Sequence, residues 1–375
     1  MKLRILFLIG TLEAGGLERF VTRVSIRAKV GGEFEPVAIC LRERRGIFLR
    51  ELEKCDVDVY EAPYRWFREP AKLVEFGNLI REISPEIVHS QVNFSMVQQM
   101  LALRLGLKKN IRPIFCVTER NCYPLTGFDK YRRILQYYIL KTFGANYSAN
   151  SDSVAKHLGL MLGINPEYFQ VLPNGVQIIK SNPDKRKEIR SSLGWKKNEI
   201  GIGYVARMAA HKGHLLFLQV IHKLLTLGLP IKACLVGDGP QRKELERVIG
   251  SLEINGDVTL IGIVPNVEDY LQAFDLVALF SSREGMPNVI LEAMAAKKPI
   301  VATNAGAIPE LLDYGRAGIV IQDLTVYSIM KEISELIVNE EKRQNYGRKA
   351  LERVERNFNL DKSFEILCEY YKSIS

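Results

Sequence analysis

The sequence predicts two doubly wound α/β domains in tandem, each a parallel sheet with helices on both faces. Short runs rich in β-branched residues alternate with longer runs of helical periodicity along the whole chain. Several strand candidates are apolar at consecutive positions, the pattern of strands buried on both faces of a parallel sheet. The series also restarts. A polar stretch punctuated by Pro and Gly, NGVQIIKSNPDKRKEIRSSLGWKKN (174–198), reads as a linker plus one charged helix between two sets of alternating elements. A length of 375 residues accommodates two domains, each with its own core.

The first set opens with LRILFLI (3–9). A basic residue before LFLIG gives it the look of a signal peptide, but the apolar run is short and flanked by Arg4 and Glu13, so it reads as a buried strand. Strand candidates PVAICL (36–41), EIVHSQ (86–91), PIFCVTE (113–119), NYSAN (146–150) and QVLPN (170–174) follow. Helical patterns such as ERFVTRVSIRAKV (18–30) and VEFGNLIREI (74–83) lie between them. The second set runs EIGIGYVA (199–206), IKACLVGDG (231–239), VTLIGIV (258–264), LVALFSS (276–282), PIVATNAG (299–306) and GIVI (318–321). Two such domains facing one another are expected to bind ligands outside the carboxyl ends of their strands, in the cleft between them.

Composition narrows the function. Hydrophobic content of 47% and charged content of 25% are those of a soluble globular protein. No apolar stretch reaches the roughly 18 residues that would span a bilayer. The six cysteines (40, 55, 116, 122, 234, 368) show neither a CxxC pair nor metal-ligand spacing, and read as reduced thiols of a cytosolic protein. Residues 1–175 carry 25 Lys and Arg against 18 Asp and Glu, and the remainder 27 against 25. A basic first half attracts anions: phosphate, an acidic polymer or an anionic membrane face. No nucleic-acid-binding module and no basic strand with interleaved aromatics is recognisable, so nucleic acid is not an expected partner.

Several motifs bear on chemistry. GTLEAGGLER places Gly10 and Gly15 at nucleotide P-loop spacing but has Gly16-Leu17 where Lys-Ser/Thr is required. Gly15 and Gly16 still suit close backbone approach to a phosphate at a helix N-terminus, or simply a tight strand-to-helix turn. GIGYVA (201–206) fits a dinucleotide fingerprint, yet its glycines lie inside a strand candidate and no ribose-binding acid follows, which argues against a dehydrogenase. Asp56 and Asp58 read as strand-edge carboxylates, and no metal is expected. In VARMAAHKGH (205–214), Arg207 and Lys212 form a cation pair able to hold a diphosphate, or a solvated loop.

SREGMPNVILEAMAAKKP carries the most information. Pro287 is expected at the first helical turn, with the N–H groups of Met286, Asn288 and Val289 facing the cleft. Glu292 falls on the same helical face and would accept hydrogen bonds from sugar hydroxyls, unless it pairs with a core cation. Glu284 has a similar choice. Lys297 and Lys298 would suit the negative end of the helix dipole.

In this order the motifs resemble the GT-B architecture of the retaining, nucleotide-sugar-dependent α-glycosyltransferases, the glycosyltransferase group 1 family. The resemblance rests on GTLEAGGLER, EIVHSQ, SANSDSVAKHL, VLPNGV, GYVARMAAHKGH, LVGDGPQRKEL, SREGMPNVILEAM and AGAIPELL, and runs to the C-terminal tail. It implies an acceptor-side Rossmann-like domain over 1–176, a nucleotide-sugar-binding domain over 177–357, and a tail, 358–375, crossing back to the first domain. It implies that Arg207 and Lys212 hold the donor diphosphate, that Glu284 lies at the transferred sugar, and that Gly285, Met286, Asn288 and Val289 are backbone donors. Glu292 would bind the ribose hydroxyls, and Gly15 and Gly16 would close onto phosphates and acceptor. Where many members have Thr-x-His, this chain has Thr118, Glu119 and Arg120. His89 is kept, and Gln91 stands where a second histidine is frequent. His89, Glu119 and Arg120 are therefore the expected acceptor or sugar contacts.

The chemistry so implied is metal-independent, cofactor-free transfer of a hexose-type sugar from a nucleotide-diphosphate sugar, UDP first, with retention. The acceptor would be a sugar, a lipid-linked or a small molecule in polysaccharide, glycolipid or glycoconjugate synthesis. The rival readings are a sugar-nucleotide epimerase or hydrolase of the same architecture and a non-catalytic nucleotide-sugar-binding subunit. YRWFR (64–68) and FDKYRRILQYYILKTFG (128–144) join basic and aromatic character. A buried aromatic stripe is the preferred reading of the latter. Peripheral contact of a cytoplasmic protein with the inner membrane face is the other.

Overall fold

The computed structural model describes residues 2–13, 15–92, 95–106, 113–122 and 127–375; Ala14 of the GTLEAGGLER loop lies outside them. The chain forms two compact units, Met1–Gly175 with Leu360–Ser375, and Val176–Asn359. In chain order the first contains β1 (Arg4–Ile9), α1 (Gly16–Gly31), β2 (Glu35–Cys40), α2 (Leu49–Lys54), β3 (Asp58–Glu61), α3 (Pro70–Ile83), β4 (Ile87–Ser90), α4 (Met96–Gly106), β5 (Ile114–Glu119), α5 (Gly127–Thr142), β6 (Asn146–Ala149), α6 (Asp152–Leu162) and β7 (Gln170–Val171). The second contains α7 (Pro183–Ser192), β8 (Ile200–Val205), α8 (His214–Thr226), β9 (Ile231–Val236), α9 (Arg242–Ser251), β10 (Val258–Gly262), α10 (Val267–Ala273), β11 (Leu276–Leu279), α11 (Asn288–Ala295), β12 (Ile300–Thr303), α12 (Ile308–Leu311), β13 (Ile319–Ile321), α13 (Val326–Val338) and α14 (Glu340–Asn357). The last helix, α15 (Leu360–Ile374), belongs to the first unit.

Both sheets are parallel, in the orders β3-β2-β1-β4-β5-β6-β7 and β10-β9-β8-β11-β12-β13. The expected pair of doubly wound α/β domains is therefore present. In β1 alternate residues feed different cores. Ile5, Phe7 and Ile9 pack with Phe34 and with Phe364, Leu367 and Tyr371 of α15; Leu6 and Leu8 pack with Trp66, Phe76 and Ile80. Burial on both faces is why the strand reads as a continuous apolar run. Edge strand β3 was foreseen only in the strand-edge reading of Asp56 and Asp58, because only Val59 of its four residues is buried. Both glycines of GIGYVA lie within β8, so that motif is no dinucleotide fingerprint.

Helix α5 departs from the preferred reading. Tyr137 and Leu140 are its buried side chains, whereas Phe128, Tyr131, Leu135 and Tyr138 are exposed, Phe128 by 81%. The exposed four recur at three- and four-residue spacing on the face away from Tyr137, so the helix carries two apolar faces where one was expected.

His89 also differs from its expected role. It is 1% exposed, with Nδ1 2.7 Å from the Tyr371 hydroxyl and Nε2 2.6 Å from that of Thr118. Thr118 continues the chain to the Ser148 hydroxyl at 2.8 Å. With both ring nitrogens occupied, His89 ties β4 to β5 and to α15 and has no ring nitrogen left for an acceptor. Burial, reinforced by the nearby Arg120 charge, pushes its pKa down to about 3. An unfolded chain protonates this histidine near its ordinary value of 6.5, so below that pH the unfolded state binds more protons. Stability is then lost as pH falls, by at most about 1.4 kcal/mol per pH unit. Thermal melts of the first unit between about pH 7.5 and 5 should show a steeper acid-side loss in the native protein than in His89→Gln. Equal slopes would reject this role.

Candidate functional site

In the second unit the strand order reverses between β8 and β11, the position where a doubly wound sheet opens a crevice at its carboxyl edge. The loop after β8 carries Arg207 and Lys212; the loop after β11 carries Glu284 and enters α11. Hydrogen bonds tie these loops. The Ser282 N–H donates to the His211 carbonyl at 2.8 Å, and the Lys212 ammonium donates to Glu284 Oε1 at 2.6 Å. The Tyr204 hydroxyl donates to the Lys212 carbonyl while accepting the Phe280 N–H at 2.8 Å. Glu284 is 8% exposed, so its carboxylate takes the cationic partner that burial demands. The expected diphosphate-holding lysine and sugar-side glutamate are thus bonded to each other.

Two glycines hold these loops close. Gly213, at φ 71°, follows Lys212, and a Cβ there would lie 2.1 Å from the Phe280 carbonyl oxygen. Gly306, at φ 53°, lies under the second loop, where a Cβ would meet the Glu284 carbonyl oxygen at 2.2 Å. Next to it the Ala307 N–H donates to the Gly285 carbonyl at 2.7 Å.

Helix α11 starts at Asn288, one residue later than expected. Pro287 is its N-cap, where a missing N–H still costs nothing. Met286 is buried, Asn288 and Val289 are half-buried, and Glu292 is 6% exposed one turn further along. Lys298, expected at the negative end of the helix dipole, is engaged elsewhere. Lys298 donates instead to the carbonyls of Gln272 (3.2 Å) and Phe274 (2.8 Å) at the end of α10, and burial pushes its pKa down to about 8.

The local field is positive. Arg207 is exposed and has no ion-pair partner among the described residues. His211 responds to its surroundings: burial first, then the Lys212, Arg283 and Arg207 charges, lower its pKa, with Glu284 opposing. Arg283, His211 and Tyr204 were not singled out from the sequence. The first two stand in polar loops beside Glu284 and Lys212, which is the only signal that marks them, and Tyr204 is hidden inside a strand. Among the described residues no group of three or more His, Cys, Asp or Glu side chains could hold a metal ion.

In the first unit the order reverses between β1 and β4. Gly15 caps α1 in extended conformation, and the place of its missing Cβ is taken by the Glu18 carboxylate, whose pKa burial raises. Glu119, expected as a contact, is 3% exposed and already engaged. Its Oε1 accepts the N–H groups of Arg120 (3.0 Å) and Asn121 (3.3 Å), and its Oε2 lies 3.7 Å from Arg133. Arg120 remains half-buried. It donates through Nε to Gln91 Oε1 at 2.9 Å, through Nη1 to Asn174 Oδ1 at 2.5 Å, and through Nη2 to Gln91 as well. Burial lowers its pKa to about 10, with Glu18, Tyr371 and Glu119 opposing.

This fold is shared with known structures. Over 99% of the chain and 100% of the other, the Anabaena protein HepE in complex with UDP and glucose superimposes with a TM-score of 0.83 at 21% identity. A Rickettsia africae glycosyltransferase covers 100% of the chain and 98% of its own with a TM-score of 0.80 at 21% identity. The shared fold is the GT-B architecture of two Rossmann-like α/β domains. Residues 185–353 match the model of glycosyl transferases group 1, and residues 14–179 that of glycosyltransferase family 4. The second unit thus carries a glycosyl transferases group 1 domain and the first a glycosyltransferase family 4 domain. Among curated relatives, the Vi polysaccharide biosynthesis protein VipC/TviE of Salmonella typhi is 25% identical over 85% of this chain and 62% of its own length. The putative teichuronic acid biosynthesis glycosyltransferase TuaC of Bacillus subtilis is 35% identical over 38% of this chain and 34% of its own. The chain spans 50% to 62% of the length of the first curated relatives it matches.

The packing of Gly306 is open to test. Gly306→Ala and Gly228→Ala both place a methyl on a left-handed residue, but only Gly306 has backbone within 4 Å of that methyl. Gly306→Ala should cost the second unit about 1–3 kcal/mol more in thermal or denaturant unfolding. Equal losses would mean that the Glu284 loop yields freely.

Proposed function

We propose that the protein transfers a sugar from a nucleotide-diphosphate sugar, UDP-linked, to an acceptor with retention of configuration and without a metal ion, in building a polysaccharide, glycolipid or other glycoconjugate. The observation that carries this reading is the convergence, at the β8/β11 reversal, of exposed Arg207, the Lys212–Glu284 pair and the leading end of α11. Anionic diphosphate fits the positive field felt by His211 and the positive end of a helix dipole. An ammonium has three N–H donors, so Lys212 can keep Glu284 and still bind phosphate. The UDP, UDP-glucose and glucose complexes of HepE make UDP the first donor nucleotide to test. The polymer-assembly names of VipC/TviE and TuaC support a saccharide acceptor.

In the proposed reaction the bond from sugar C1 to the phosphate oxygen breaks, and its electron pair leaves with the diphosphate. The acceptor oxygen bonds to C1 on the same face and passes its proton to the departing phosphate, so no enzyme nucleophile is needed. Arg207, Lys212 and the backbone of Gly285, Met286, Asn288 and Val289 stabilise charge that grows on the leaving group, where binding lowers the barrier. Glu284 orients the transferred sugar, and Glu292 accepts from the ribose hydroxyls. A glycosidase-like acid and base pair is less well supported, because Glu284 is held by Lys212 and suits binding better than proton donation. The six free cysteines and a nucleotide-sugar substrate suit a cytoplasmic setting.

Calorimetric titration with UDP tests the donor site. Glu292→Ala and Arg207→Ala should each weaken binding at least about tenfold, or 1.4 kcal/mol, and reduce transfer without unfolding the chain. Native affinity and turnover in both variants would overturn the assignment.

Membrane contact rests on a different feature. Arg132 and Arg133 are paired with Asp129 and Glu119, so insertion would fall to the exposed stripe of Phe128, Tyr131, Leu135 and Tyr138. Tyr131→Glu/Leu135→Glu should abolish co-sedimentation with vesicles containing phosphatidylglycerol. Absence of co-sedimentation by the native protein would dismiss the contact.

A further inference from the structure

The carboxyl edge of the first unit carries a row of polar side chains beyond four successive strands. Gln91 follows β4, Arg120 follows β5, Asn150 follows β6, and Asn174 stands three residues past β7. Gln91, Asn150 and Asn174 are 3%, 1% and 3% exposed. Such buried amides need hydrogen-bonding partners, yet Asn150 Oδ1 has none among the described residues. The row holds one formal charge, the guanidinium of Arg120. It is fixed edge-on by the oxygens of Gln91 and Asn174 and packed over the Phe20 ring, 5.2 Å from its centroid.

This cation has no carboxylate at ion-pair distance among the described residues. Glu119, its chain neighbour, is committed to two backbone N–H groups and Arg133, and Glu18 acts on Arg120 only from beyond that distance. Among the described residues three of the five guanidinium N–H groups are used, all on neutral oxygens, which leaves two to donate. An arginine held flat by amides keeps its full charge and a fork-shaped pair of donors, the arrangement that recognises a carboxylate or phosphate. The nearby unpartnered amide oxygen of Asn150 suits a ligand hydroxyl.

We propose that Arg120, held by Gln91 and Asn174, is the recognition site for the anionic group of an acidic saccharide, a carboxylate or phosphate on a hydroxyl-bearing ring. Calling that saccharide a substrate rests on the transferase reading above; the binding site itself does not. The same anionic chemistry could arrive on the acceptor or on the sugar of the donor.

The test measures binding of methyl α-D-glucuronide, methyl α-D-glucoside 6-phosphate and neutral methyl α-D-glucoside, with UDP-glucuronate and UDP-glucose as a donor pair. Native protein should prefer anionic over neutral members of at least one set by tenfold or more. Arg120→Gln should remove that preference and leave UDP affinity unchanged. Gln91→Glu keeps the shape of the native side chain but sets a carboxylate against the guanidinium, so it should abolish the preference while preserving the first unit's melting transition. A preference confined to the methyl glycosides places the anion on the acceptor; one confined to the UDP-sugars places it on the donor. The proposal is overturned if the native protein shows no preference, or if either folded variant retains it. Failure to bind UDP would count against the transferase reading alone.

Discussion

A carboxylate taken out of water must find a cation, and the Lys212–Glu284 bond is how the second unit meets that requirement at the edge of its sheet. The pair joins two loops that are distant in the chain and brought side by side because β8 and β11 are neighbours in the sheet. Tyr204 braces the same junction from within β8, and Gly213 and Gly306 let backbone approach where side chains would collide. Arg207 and the start of α11 are placed by that junction. Its strength lies in being over-determined, because ion pair, hydroxyl bridge and backbone contact all demand the same spacing.

The first unit repeats the topology and changes the chemistry. At its own reversal, between β1 and β4, the edge is lined by amides with a single arginine, and the histidine that might have joined them is turned inward. His89 spends both ring nitrogens on Tyr371 and Thr118, which makes the final helix part of this unit's polar core as well as its apolar one. One unit presents a concentrated positive field; the other presents hydrogen-bonding capacity around one fixed charge. This contrast fits the proposed reading, in which the second unit takes the charged donor.

Much of the architecture was legible because burial writes directly into composition. Central strands covered on both faces appear as unbroken apolar runs, and β1, β8, β11 and β12 were visible for that reason. Edge strand β3, with one buried residue, left little trace. Helix α5 misled for the opposite reason: aromatic residues at helical spacing look the same whether they face a core or solvent, and this helix has both. The Gly-Met-Pro turn marked the start of α11 to within one residue because proline constrains the backbone locally.

Local rules therefore settled what depends on neighbours in the chain: strand and helix alternation, the restart between the two sets, and the types of residue gathered around Arg207, Lys212, Glu284 and Glu292. Tertiary structure alone decided which of those charges meet. That Glu284 bonds Lys212, that Lys298 serves α10 instead of α11, and that Arg120 is held by Gln91 and Asn174, all depend on distances between segments tens of residues apart. The energy of an ion pair or a buried hydrogen bond depends on separation in space and on the surrounding dielectric. Order along the chain specifies neither.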